Sequence, residues 1–328
     1  MGEHSISLIT TLKPFKGLAR IHQINSLQSW AKFIEGAEII VVGESEGFET
    51  ILSEFKFNIK WIKEVKTSYS GAPYLDDMIK KGLENARNDS VCIINADTIL
   101  LSDFVKSVSK LINIYDNNFL LTSRSFSLNI NTILNFDDPE IEERLKNIVR
   151  KNYIHNDIRS LPTDFYFFHR EFLSNAKIPP FIYGRGVFVR WYIYHAHRKR
   201  IPIIDATPVI TAIHQMHSFD YIKDHDVQEE LQKVKDPYKA LMKGREFRWN
   251  LEIAGPAAYF SGADFTHILT EQGLVKINSP YHLVRYLLKK PLLPPYSKVS
   301  FPLIKALLPN RTVRSFTKRT LRRLKLFY

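Results

Sequence analysis

Apolar positions in the first third of the chain switch between two periods. Ser5 to Thr10 is an apolar run of strand length. Ile21, Ile24, Leu27, Ala31 and Ile34 then recur at helical spacing and stop near Gly36. Glu38 to Val42 reads as a short buried strand closed by Gly43, and Ile59 to Val65 as an alternating one. Leu75, Met78, Ile79, Leu83 and Ala86 mark a second helix. Val91 to Ile94 is a fully apolar strand that runs into Asn95-Ala96-Asp97. Asp103 stands where a helix cap belongs, ahead of Val105, Val108, Leu111 and Ile112. Strands alternating with helices predict an α/β fold with a mostly parallel central sheet flanked by helices.

The second half is less regular. Residues 136–160 and 222–250 are charged and helical in pattern. Thr163 to His169 is an aromatic strand and Phe188 to Arg198 an aromatic helix. Ile201 to Ile204 and Val209 to Ile213 read as late strands. No internal repeat interrupts the pattern. Parallel sheets bind ligands beyond the carboxyl ends of their strands, so the loops at Thr10–Phe15, Gly43–Gly47 and Asn95–Thr98 are the places to look.

Charge changes this picture at one end. The chain has 328 residues and a net charge of +12. The segment from Gln272 onward holds 13 of the 46 Lys and Arg and none of the 34 Asp and Glu. The body is therefore close to neutral, and the excess belongs to one segment rather than to a nucleic-acid-binding surface. This divides the chain into a folded domain at 1–275 and a basic tail at 276–328. The single cysteine, Cys92, excludes an intrachain disulfide and a cysteine-based zinc site. There is no run of about 18 apolar residues and no basic leader, so the expected location is cytoplasmic. No Gly-x-Gly-x-x-Gly turn follows the first strand, which disfavours a dinucleotide-dependent oxidoreductase.

Three constellations carry candidate chemistry. Asp97 follows the apolar strand and puts a hard oxygen ligand at the ligand-binding edge, suited to a divalent cation. A helix cap or loop-solubilising role is the plainer alternative. His214 and His217 follow the last strand three residues apart, close enough to reach one ion or to be ordinary loop histidines. Gly184-Arg185-Gly186 offers a tight turn and a guanidinium that can fork onto a phosphate, or simply joins a loop to a helix.

Taken in order, Thr10-Thr11-Leu12-Lys13-Pro14-Phe15, Asn25 to Trp30, Gly43-Glu44-Ser45-Glu46-Gly47, Ala72-Pro73-Tyr74-Leu75, Asn95-Ala96-Asp97, Asp164 to Phe168, Pro179-Pro180-Phe181, Gly184-Arg185, Asp205-Ala206-Thr207 and His214-Gln215-Met216-His217 form a series. The series resembles GT-A-type glycosyltransferase-like proteins of the nucleotide-diphospho-sugar transferase superfamily, over roughly residues 5–270. The resemblance implies a GT-A-like, Rossmann-like core. It implies a nucleoside-diphosphate sugar bound by Thr10, Thr11, Lys13, Glu44, Pro73, Tyr74, Asn95, Ala96 and Asp97. It further implies Mn²⁺ or Mg²⁺ held by Asp97 with one of His214 and His217, and Asp164 and Arg185 facing sugar and acceptor. Val189 stands where the family pattern has a carboxylate, and valine cannot take a proton. Asp164 is then the first candidate for the base. A retaining course, a shifted alignment or a non-catalytic nucleotide-sugar- or glycan-binding member are the alternatives.

In the tail, Val313, Phe316, Leu321, Leu324, Phe327 and Tyr328 share one side of a helical wheel, and Arg311, Arg314, Lys318, Arg322 and Lys325 the other. Residues 281–328 are thus expected to lie on an anionic membrane surface, on its cytoplasmic face. That placement suits a lipid-linked or other glycan acceptor of cell-surface polysaccharide assembly. Packing of the apolar side on the domain is the competing expectation.

Overall fold

The computed structural model describes residues 5–54, 58–153, 162–217, 224–233, 240–260 and 264–277. The proposed membrane-binding tail at 281–328 lies outside them. Among the described residues no helix is long and apolar enough to cross a membrane.

The first half follows its hydrophobic pattern closely. It runs β1 (Ile6–Thr10), α1 (Gly17–Phe33), β2 (Glu38–Val42), α2 (Phe48–Glu54), β3 (Ile59–Ile62), α3 (Leu75–Asn85), β4 (Ser90–Ile94), β5 (Thr98–Leu100) and α4 (Ser102–Tyr115). Then come β6 (Leu120–Thr122), β7 (Ser125–Leu128), α5 (Ile141–Tyr153), β8 (Phe165–His169), α6 (Phe188–Lys199), β9 (Ile203–Asp205) and β10 (Ala212–Gln215). The described chain closes with α7 (His225–Leu231), α8 (Arg245–Ile253), β11 (His267–Thr270) and β12 (Gly273–Lys276).

Nine strands form the main sheet in the order β12-β11-β9-β6-β8-β4-β1-β2-β3, and β5-β10-β7 form a small one. The main sheet is mostly parallel: β1 pairs in parallel with β2 and β4, β2 with β3, and β9 with β6 and β11. Strand β8 runs antiparallel between β4 and β6, and β12 antiparallel to β11.

Both faces of the sheet are covered at its centre, which is why β1, β2 and β4 read as nearly unbroken apolar runs. Successive side chains go to opposite faces. Val91 and Ile93 of β4, with Tyr166 and Phe168 of β8, join the core under α3, α6 and α8. Cys92 and Ile94, with Phe165 and Phe167, join the core under α1 and α4. Helix α3 sits so close that a Cβ on Gly82 would lie 2.6 Å from the Ile9 side chain. A third cluster, built from Ile99, Ile213, Leu145 and Val149 among others, lies between the small sheet and α5.

Several boundaries differ from the sequence expectation, β3 ending at Ile62 and β8 starting at Phe165 among them. Helix α4 begins at Ser102, its cap position is Leu101, and Asp103 sits inside the first turn as an ion-pair partner of Lys146 at 3.2 Å. The last predicted strand moves along the chain: Val209 lies in a turn, and His214 and Gln215 belong to β10 itself. Pairing with β5 and β7, rather than the apolar run, fixes that register. Strand β9 likewise starts at Ile203 and ends at Asp205.

Candidate functional site

Topology brings distant residues to one edge. Because β1, β2 and β4 are parallel, the loops after Thr10, Val42 and Ile94 open on the same side. Strand β8 runs the other way with Phe165 opposite Ile94, so Asp164 precedes it at that same edge. In the small sheet, His214 pairs with Thr98, one residue beyond Asp97. Asp97, Asp164 and His214 therefore meet.

Asp97 and Asp164 are both buried. Asp97 Oδ2 is 3.3 Å from Lys13 Nζ and 3.1 Å from His217 Nε2. His214 Nδ1 stands between the two acids, 3.7 Å from Asp97 Oδ1 and 3.6 Å from Asp164 Oδ2. These three atoms are buried and make no hydrogen bond among the described residues. The other oxygen of Asp164 accepts from Asn95 Nδ2 at 2.9 Å, and Tyr183 donates its hydroxyl to Asn95 Oδ1 at 2.6 Å. One wall of the site is thus a satisfied chain, Tyr183 to Asn95 to Asp164. Opposite it, the three unpaired atoms face one another. Burying such atoms without partners costs on the order of 1–3 kcal/mol each, a cost an incoming polar ligand removes.

The two acids are tuned apart. Burial works against the charge of Asp97, but the Lys13 ammonium, the hydrogen bond from His217 and the nearby His214 hold its carboxyl well below the usual carboxylate range. Burial pushes Asp164 upward, His214 opposes this, and the charge of Asp97 adds to it. The pair therefore offers one permanent carboxylate and one carboxyl poised nearer neutrality, the arrangement that separates electrostatic from proton-transfer roles.

Supporting residues hold this geometry. The backbone of Lys13 is clamped: its N–H donates to Gln23 Oε1 at 2.6 Å, and its carbonyl accepts from Gln23 Nε2 at 3.0 Å and Ser45 Oγ at 2.7 Å. Gln215 lies wholly buried and ties β10 to α1: its Nε2 donates to the His22 carbonyl at 2.8 Å and to Ser26 Oγ at 3.1 Å. Its backbone N–H donates to the Asp97 carbonyl at 3.0 Å. Asn25 Nδ2 in turn donates to Gln215 Oε1 at 2.9 Å, so α1 buries the polar Asn25 and Ser26 as well as its apolar side.

The remaining sequence candidates are placed unevenly. Thr10 is fully buried and donates to the Ile94 carbonyl at 2.8 Å. Thr11 packs at Gly43, whose φ of +105° disfavours any side chain and where an added Cβ would lie 3.3 Å from Thr11 Oγ1. Glu44 is exposed beyond β2, and Ala96 is half-buried beside Asp97. Pro73 is buried and Tyr74 half-buried, and the Pro73 carbonyl accepts from the Tyr183 N–H at 2.9 Å. Arg185 makes a buried ion pair, with Nε 2.6 Å from Glu246 Oε2. Val189 packs against the apolar core.

The expected metal ligands do not share one point. His217 addresses Oδ2 of Asp97 and His214 faces Oδ1, with the two rings 5.4 Å apart. Among the described residues no group of three or more His, Cys, Asp or Glu forms a cluster able to hold a metal ion. As arranged, Asp97, His214 and His217 do not fit a resident divalent cation, because Lys13 stands at Oδ2.

Sequence reasoning missed Tyr183, Gln215 and Glu246. The only signal for Tyr183 was its place before Gly184-Arg185-Gly186, and Gln215 stood in the His214-Gln215-Met216-His217 motif with no role of its own. Glu246 sits in a charged helical stretch with nothing to set it apart.

No family model matches the chain, and no curated protein matches it. Among solved structures it is similar to S. aureus TarS 1-349 in complex with UDP-GlcNAc, at 12% identity and a TM-score of 0.47, over 77% of this chain and 71% of that one. It is similar to S. aureus TarS at 15% identity and a TM-score of 0.44, over 77% and 43% of the two chains. For TarS 1-349 in complex with UDP the values are 14%, 0.39, 77% and 70%. At these TM-scores the likeness carries no argument about activity.

Proposed function

We propose that the chain is a GT-A-like glycosyltransferase that moves a sugar from a nucleoside-diphosphate sugar to a hydroxyl of a glycan or lipid-linked acceptor. One observation supports this above the rest. Two buried carboxyl groups of opposite tuning and an imidazole turn unsatisfied atoms toward one another at the carboxyl edge of a parallel sheet. That edge is where α/β sheets bind nucleotides.

In this reading the acceptor hydroxyl enters against Asp164 Oδ2, which takes its proton. The hydroxyl oxygen forms a bond to the anomeric carbon as the bond from that carbon to the diphosphate breaks, and the nucleoside diphosphate leaves with the electron pair. Raised toward neutrality, Asp164 is a stronger base than an ordinary carboxylate, which suits proton removal. Asn95 and Tyr183 orient it. Asp97 stays charged and holds Lys13 and His217 in place. Arg185 acts at a distance by fixing the loop that carries Tyr183. The tail at 281–328 would keep the domain on an anionic membrane surface, beside a lipid-linked acceptor.

The test is release of nucleoside diphosphate from UDP-, GDP- and dTDP-sugars, with wild type and Asp97→Asn, in Mn²⁺, in Mg²⁺ and in EDTA. Release by wild type that Asp97→Asn abolishes supports the reading. Release by neither protein from any donor would favour a non-catalytic binding protein, the reading that Val189 keeps open.

A further inference from the structure

We propose that Lys13 is the built-in cation of this site: its ammonium occupies the Asp97 Oδ2–His217 Nε2 position, excludes a divalent ion from it, and receives the anionic diphosphate. The inference deepens the transferase reading and rests on it for the identity of the diphosphate.

Lys13 Nζ lies 3.3 Å from Asp97 Oδ2 and 3.3 Å from His217 Nε2, and those two atoms are 3.1 Å apart. The three form a closed triangle. A divalent ion bound to Asp97 and His217 at about 2.0–2.2 Å would need the same lone pairs. The tautomer of His217 does not rescue such an ion. If Nε2 carries the proton, it donates to Asp97 and has no lone pair to offer. If it does not, its lone pair accepts from Lys13. In either case the nitrogen is engaged.

The lysine is placed rather than adventitious. Three backbone hydrogen bonds clamp the residue, two from Gln23 and one from Ser45, and both partners are buried. From that fixed point the side chain reaches Asp97 while staying one-third exposed, against 12% for its partner. The ammonium is therefore nearer to solvent and the carboxylate beneath it. An anion arriving from solvent meets the positive end of the pair first. A point charge on a flexible stem suits a diphosphate whose charge grows as the sugar leaves. Asp97, on this view, acts as a positioning residue for Lys13.

The test uses the full chain and two probes that require no turnover. Mn²⁺ alone is titrated into wild type, Lys13→Met and Lys13→Arg and followed by loss of the free-ion electron paramagnetic resonance signal. Inorganic diphosphate is titrated calorimetrically in EDTA. Lys13→Met is expected to bind Mn²⁺ at least 10-fold more tightly than wild type, because the triangle loses its ammonium, and diphosphate at least 10-fold more weakly. Lys13→Arg, which restores the charge, is expected to stay within about 3-fold of wild type on diphosphate and to show that any loss in the methionine variant is not misfolding. Equal Mn²⁺ affinity in wild type and Lys13→Met would overturn the proposal, as would diphosphate binding to wild type that appears only with Mn²⁺. Failure here leaves nucleoside-diphosphate release by wild type intact as a separate result. Failure of the transferase reading would show as diphosphate binding without turnover of any donor.

Discussion

Two buried charged clusters among the described residues are built in opposite ways. Around Glu246 every carboxylate oxygen is engaged. Oε2 accepts from Arg185 Nε at 2.6 Å and Ser70 Oγ at 2.9 Å, and Oε1 accepts from Ser68 Oγ. Arg185 also donates to Ser70 Oγ at 3.2 Å, and Tyr69 reaches Asp224, which caps α7. Around Asp97 and Asp164, by contrast, one oxygen of each acid and one imidazole nitrogen make no hydrogen bond among the described residues. A closed cluster holds segments together: α8 grips the loop before Pro73 through Glu246 and the Ile182 backbone through Asn250, at 2.7 and 2.8 Å. An open cluster leaves polar atoms unpaired. Changes in the closed cluster should therefore show as lost stability, and changes in the open one as lost activity.

The largest expected effect breaks the open cluster. Asp164→Asn keeps the acceptor for Asn95 but removes the base, so nucleoside-diphosphate release should fall by about 10²–10⁴-fold. Its stability should go the other way. Because burial raises the folded-state pKa of Asp164, the folded protein binds more protons than the unfolded chain, and stability falls as pH rises through that window. The asparagine variant escapes this loss. Melting midpoints measured from pH 4 to 8 should show it no less stable than wild type, with the margin growing toward high pH. The acid limb of the wild-type pH–rate profile should also lie above the ordinary carboxylate range.

Next comes the closed cluster. Glu246→Ala strands the buried Arg185 guanidinium, and breaking a buried pair from one side costs about 3–5 kcal/mol. Urea unfolding should show that loss, and an unchanged midpoint would end the structural reading of this pair. Smaller again is Tyr183→Phe, which removes the donor to Asn95 Oδ1 at the junction of the two clusters. About 1 kcal/mol of stability and a several-fold drop in turnover are expected, since Asn95 loses half of what orients it. Smallest is Lys32→Ala. Its pair with Asp137 at 3.3 Å is exposed on both sides, so neither the melting midpoint nor turnover should change measurably.

The same contrast explains what could be read from the sequence. Elements that bury an apolar face over one or more turns were legible: β1, β2, β4, α3 and α4 sit where periodicity puts them. Strands β5, β6, β7, β11 and β12 were not, because three or four residues carry no period and are strands only through their partners. For the site, the residue types were legible before their geometry. Asp97, Asp164, His214 and His217 stand out as chemistry, yet the antiparallel course of β8 and the pairing of β10 with β5 decide that they meet. The same long-range pairing aims His217 at Oδ2 with Lys13 rather than at a point shared with His214. Arg185 shows the limit most clearly. Its motif allows a phosphate ligand, and nothing in the motif foretells the ion pair with Glu246, 61 positions away.

The most direct measurement is a thermal-shift screen of UDP-, GDP-, CMP- and dTDP-sugars against wild type and Asp97→Asn, each with and without Mn²⁺. At about 100-fold over its dissociation constant a bound donor stabilises by about 2.7 kcal/mol, a shift that is easily resolved. The expected result is stabilisation of wild type by one nucleotide class and none of Asp97→Asn. Stabilisation of neither protein by any donor, or of both equally, would contradict the assignment of the residues around Asp97 as a nucleotide-sugar site.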